Sequence, residues 1–130
     1  MRRELTMTWE PIDEAAWLAR RDMGPDMGAA VYFTGVVRAT EGGAAVAALE
    51  YEVFERMARH QFELLFQRVE ERWPVQSVRV AHRLGRVAAG EAALWVEVIA
   101  PHRREAFAAC QFLIDEMKRE IPLWKKPLAR

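Results

Sequence analysis

Residues 93–126, ALWVEVIAPHRREAFAACQFLIDEMKREIPLWKK, decide how the chain is read. ALWVEVIA is rich in the branched and aromatic residues that suit a strand. Pro101 then suits the start of a helix, and the residues up to Glu120 carry apolar positions at helical spacing until Pro122 ends the element. A strand running into a long helix predicts a sheet with a helix folded back on it. Upstream, Val78, Val80, His82 and Leu84 alternate as in a strand, and RVAAGEA turns the chain into residues 93–100.

The same pairing of two strands with one helix occurs earlier. Residues 28–38, GAAVYFTGVVR, read as a strand with Gly35 inside it, a position that often marks a bulge or a close approach. ATEGGAA, 39–45, reads as a flexible loop and VAALEYEVF as the next strand. From Glu55 to about Trp73, Met57, Phe62, Leu65, Phe66 and Val69 recur with helical period, and Pro74 closes the element. A short helix over 11–21 precedes all of this, with acids early and arginines late, as the helix dipole favours. The order αββαββα predicts a single α+β domain over 1–130, with a core from 28 to 126 and helices packed on a mainly antiparallel sheet.

Composition narrows the function classes. The chain has 130 residues, 52% hydrophobic and 29% charged, which suits a globular domain rather than a disordered segment. Lys plus Arg equals Asp plus Glu at 19 each, so recognition of nucleic acid through an overall positive field is not expected and any anion site is local. The single Cys110 leaves no internal disulfide and no cysteine-based zinc site, and it fits a reducing cytoplasm. The three histidines lack metal-ligand spacing, so no metal is expected. MRRELTMTWE lacks the apolar run of a secretory signal, and no stretch of about 18 apolar residues predicts a membrane helix.

The cations cluster in two places. His102, Arg103 and Arg104 fall in the first turn of the last helix, where the dipole disfavours positive charge unless an anion docks there; arginines turned to solvent are the plainer alternative. At the other end, Phe107, Cys110, Ile114 and Met117 form an apolar stripe whose edge Lys118 extends. Partial desolvation there would make its amine available as base or nucleophile; a lysine that snorkels and complements the helix C-terminus is the alternative. The basic tail 122–130 follows with Lys125, Lys126 and Arg130, and Trp124 is placed to anchor it. Arg38 ends the first strand beside the glycine-rich loop. His82 reads as a satisfied core histidine and Cys110 as a small core residue.

VYFTGVVR (31–38), LEYEVF (49–54), ERWP (71–74), AHRLGRVAAGEAALWVEV (81–98) and PHRREAFAACQFLIDEMKREIPLWKK (101–126) together resemble the large, catalytic subunit family of molybdopterin synthase. The resemblance implies an α/β-hammerhead-like fold and a homodimer within a heterotetramer. It implies a small ubiquitin-like carrier whose C-terminal Gly-Gly thiocarboxylate supplies sulphur, so no cofactor is required. The implied reaction adds two sulphurs to cyclic pyranopterin monophosphate and yields the dithiolene that later holds molybdenum. The family's catalytic lysines fall on Lys118 and Lys125, and its substrate-anion ligands on Arg38, His102 and Arg103, the last two reaching across the dimer. Pro127 stands where the family often has an acidic residue, and no ligand is carried over from 39–45. A non-catalytic partner of such a carrier, and a lysine Schiff-base enzyme, are the competing expectations.

Overall fold

The computed structural model describes residues 1–129; Arg130, counted above among the tail's cations, lies outside the described residues. The elements run β1 (Arg2–Thr8), α1 (Glu14–Ala19), β2 (Ala29–Val36), β3 (Thr40–Glu41), β4 (Ala44–Val53), α2 (Glu55–Arg72), β5 (Ser77–Arg83), β6 (Gly85–Ala88), β7 (Ala92–Ala100), α3 (Arg103–Glu120) and β8 (Leu123–Ala129). The fold is α+β, as expected, but its strands divide between two sheets. The first has the order β1-β5-β7-β2, and in the second β4 pairs with β3, β6 and β8.

Every pairing in the first sheet is antiparallel except that of β1 with β5, which is parallel. β1 was not expected as a strand. Leu5 and Met7 face the core, Arg3 on the same face pairs with Glu63 and Glu70 of α2, and Arg2 and Glu4 face away. Pairing with β5 supplies the ladder bonds that this short edge segment cannot make alone.

α2 and α3 cover one face of this sheet. Phe62, Leu65, Phe66 and Val69 of α2 and Ala106, Ala109, Cys110, Leu113 and Met117 of α3 close on Val78 and Val80 of β5 and Val96 and Val98 of β7. Two apolar positions expected in these stripes are corrected. Met57 and Phe107 are 53% and 61% exposed, because Ala58 and Ala106 occupy the inward positions beside them. One residue along a helix is about 100° of rotation, enough to turn a side chain out of a buried arc.

The opposite face carries α1, capped by Asp13, whose carboxylate accepts from the Ala16 amide at 3.1 Å. Trp17 stacks at a tilt on Trp95, centroids 5.5 Å apart. Beneath them, register puts Tyr32 and Arg79 on either side of Glu97. The Arg79 guanidinium donates to both carboxylate oxygens at 2.7 and 2.6 Å, and the Tyr32 hydroxyl donates at 2.8 Å. Strand alternation thus makes one face of the sheet an apolar core and the other a buried ionic network.

The second sheet has its own small core of Val37, Val46, Leu49, Val87 and Ala93. Residues 39–45 form a hairpin rather than a flexible loop. Glu41 pairs with Ala44 across Gly42 and Gly43, whose φ values of 57° and 84° give the mirror-image turn that matches strand twist. The C-terminal tail is likewise a strand, β8, paired with β4 from Val46 to Val53.

Candidate functional site

A cleft of about 630 Å³ opens where the first sheet, the second sheet and the C-terminal turn of α3 meet. Its apolar wall is built from Phe33 and Leu94 of the first sheet, Leu49 of the second, and Met117 and Ile121 at the end of α3. Its charged rim consists of Arg38, Lys118, Lys125 and Glu41.

Each cation is placed by a distinct device. Arg38 follows a register shift between Gly35 and Val36, so the internal glycine does mark a bulge. The displaced chain is refastened by Val37, whose amide donates to the Glu91 carbonyl at 3.0 Å and whose carbonyl accepts from Gly90. Bulges re-aim the residues beyond them, here turning Arg38 toward the second sheet.

Lys118 comes one residue after buried Met117 and lines the cleft from the last turn of α3. The desolvation expected for it is corrected: its side chain is exposed, since the buried arc of α3 passes through Met117 and leaves the next residue at the rim.

Lys125 is selected by strand alternation. It sits opposite Tyr51 in the β8–β4 ladder, and Leu123 sits opposite Val53, so this face of β8 looks toward the cleft. Trp124 and Lys126 point the other way, and Trp124 packs edge-on against Phe54 with centroids 5.0 Å apart. The tail is therefore anchored by a ladder of backbone bonds with the tryptophan as an additional contact.

The rim contains a carboxylate as well. Glu41 Oε1 lies 3.5 Å from the Lys125 ammonium, and its Oε2 lies 3.7 Å from the Arg38 guanidinium. Deeper in, Tyr51 meets the His82 ring edge-on at 5.1 Å. His82 is buried and its Nδ1 lies 2.6 Å from the Arg83 carbonyl, so Nδ1 carries the proton and donates. Burial lowers its pKa and keeps the ring neutral. Burial, followed by the charge of Glu41, raises the Tyr51 pKa. His82 was expected as a core residue, and it is one that also lines the cleft. Glu41 and Tyr51 were not identified from the sequence, and no local pattern marks them.

Cys110 lies in the main core away from the rim, with burial pushing its thiol up to about 11. His102 and Arg103 stand at the other end of α3. His102 is the N-cap residue, so Pro101 lies one position outside the helix rather than opening it. Both side chains are exposed, and His102 Nδ1 is 3.8 Å from Glu105. The rise along α3 separates Arg103 from Lys118 by about 22 Å, so one copy of the chain cannot bring both to a single small anion. A second cleft of about 350 Å³ lies on the α1 side of the first sheet. Its arginines Arg2, Arg3, Arg20 and Arg79 are each matched by a carboxylate, of Asp22, Glu70, Glu4 and Glu97 respectively. Among the described residues no three His, Cys, Asp or Glu side chains come together as a metal site. No helix among them is long and apolar enough to cross a membrane.

Fold and site define an α+β domain with a half-apolar cleft rimmed by cations from α3, β8 and the β2–β3 connection. The MoaE protein family model matches residues 7–120, and the chain belongs to that family. It is 41% identical over 100 residues to the molybdopterin synthase catalytic subunit of Nostoc sp., a match spanning 76% of this chain and 61% of that one. The molybdopterin synthase catalytic subunit of Thermoplasma volcanium is 36% identical over 118 residues, 91% of this chain and 83% of the relative. Molybdopterin synthase from Staphylococcus aureus superposes with a TM-score of 0.85 at 30% identity, covering 98% of this chain and 90% of that one.

Proposed function

We propose that the protein is the catalytic subunit of a molybdopterin synthase, a sulphurtransferase acting with a small carrier subunit on cyclic pyranopterin monophosphate. The observation that carries this reading is the meeting of Arg38, Lys118 and Lys125 at one cleft from three separate segments of the chain. A cyclic phosphate and a carrier thiocarboxylate are both anions, and three cations over a partly apolar wall suit holding them together. The extended cleft beside β8 gives room for a Gly-Gly tail, and Lys125 on the β8 face is placed to position it. Lys118 contacts the thiocarboxylate carbonyl and moves the proton. In each transfer the thiocarboxylate sulphur forms a carbon–sulphur bond to a pterin side-chain carbon as that carbon's bond to oxygen breaks, the oxygen staying on the opened phosphate at one carbon and leaving as water at the other. Water then cleaves the acyl–sulphur bond and leaves the carrier as a carboxylate. The sulphur arrives on the partner, so neither a resident cofactor nor Cys110 takes part. The reduced, buried thiol suits a cytoplasmic setting.

His102 and Arg103 belong to a neighbour's site in a homodimer, within a heterotetramer completed by two carriers. Their distance from the cleft of their own copy supports this arrangement. The test mixes the protein with thiocarboxylated carrier and cyclic pyranopterin monophosphate and measures dithiolene product. Wild type forms it and Lys118→Ala does not, with unchanged circular dichroism. Arg103→Ala alone weakens pterin binding. Randomly reassorted with Lys118→Ala protomers, it recovers about a quarter of wild-type activity, because half the dimers then hold one intact site. Carrier bound without product from wild type would instead favour a non-catalytic partner.

A further inference from the structure

We infer that Glu41 is an internal competitor for the anion site: its carboxylate holds Arg38 and Lys125 until an incoming anion displaces it, and so sets how strongly charged that anion must be. The inference deepens the reading of the cleft as an anion site and rests on it. Two observations carry it. Glu41 reaches both cations at once, one with each oxygen, at 3.7 and 3.5 Å, spanning from Arg38, two residues beyond β2, to the middle of β8. Neither contact is close enough for a hydrogen bond, and Arg38 and Lys125 are 76% and 51% exposed, so both pairs are weak enough to be exchanged.

Glu41 also stands on a movable support. β3 has two residues, its only ladder among the described residues is to the start of β4, and Gly42–Gly43 joins them. Among the described residues a Cβ at either glycine would meet nothing within 4 Å, so none of them packs on the turn. A weak anion such as a simple carboxylate gains little by replacing a carboxylate already present. A phosphate, with more charge and three or more acceptor oxygens, gains on both cations.

The experiment is calorimetric titration of wild type, Glu41→Gln, Glu41→Asp and Lys125→Ala with inorganic pyrophosphate and with acetate at low ionic strength. Glu41→Gln binds pyrophosphate about two- to fivefold more tightly than wild type, the range expected for releasing exposed pairs. It also brings acetate into measurable binding. Glu41→Asp, which keeps the charge, stays near wild type, and the gain from Glu41→Gln shrinks in the Lys125→Ala background. Unchanged or weaker pyrophosphate binding by Glu41→Gln overturns the inference, because Glu41 would then be supporting the cations rather than competing for them. Failure of both wild type and Glu41→Gln to bind pyrophosphate overturns it too, whether or not the protein forms dithiolene. A dithiolene assay that fails while the titrations succeed would strike the proposed reaction and leave the competitor in place.

Discussion

Replacing Arg79 with methionine isolates one charge. Glu97 is 1% exposed and receives two donors from Arg79 and one from Tyr32, with the guanidinium lying 5.0 Å above the Trp95 ring. Methionine refills much of the volume but leaves a buried carboxylate with a single donor. Removing one partner of a buried ion pair costs about 3–5 kcal/mol, a large share of the 5–15 kcal/mol typical of a domain. For a chain of this length that is a fall in Tm of about 10–20 °C. Thermal and urea unfolding followed by circular dichroism at fixed protein concentration measures it. Adding Glu97→Met to Arg79→Met should return most of the loss, since the isolated charge goes with its partner. The cleft lies across the sheet, so pyrophosphate affinity should hold below the transition. A loss under about 1 kcal/mol for Arg79→Met would refute the reasoning, because it would mean water reaches Glu97 and substitutes for the guanidinium.

Other expectations follow from single features. Lys125→Ala should lower product formation sharply while Lys126→Ala stays close to wild type, because alternation in β8 turns only the first toward the cleft; assays of the two side by side check it. Native Cys110 should resist iodoacetamide at pH 7 and react on denaturation, and Cys110→Ala should retain sulphur transfer, since burial keeps the thiol protonated up to about 11. Buried His82 is held neutral below its ordinary value of 6.5, so the unfolded chain takes up a proton that the folded chain refuses. Stability should therefore fall as pH drops below 6.5, and less so in His82→Phe, as read by urea midpoints. Tyr32, raised to about 12 by burial and then by Glu97, works on the other side. Its stabilisation is complete below pH 10 and is lost as pH rises toward 12, a loss that Tyr32→Phe should reduce.

The two long helices, their proline stops and the strands between them were legible because each repeats a period that one element imposes on its own residues. β1 and β8 were not. Their alternation is short and broken by charges or by Pro127, and they exist as strands because β5 and β4 offer edges to pair with. The glycine pair was visible as a break, but whether it formed a loop or a turn depended on the residues on either side finding each other.

The candidate site divides in the same way. Arg38, Lys118 and Lys125 could be singled out from residue type and from the resemblance, and the structure brings these three to one cleft while leaving His102 and Arg103 at the far end of α3. The sequence by itself determined the helices, most strands and the cationic character of the C-terminal region, since those depend on neighbours within a few residues. Only the tertiary structure decided that Lys125 rather than Lys126 faces the cleft, that Lys118 stays at its rim in water, and that Glu41 stands between Arg38 and Lys125. Those outcomes depend on which edges pair and in what register, and a one-residue slip in β8 would exchange the two lysines without altering a letter of the chain.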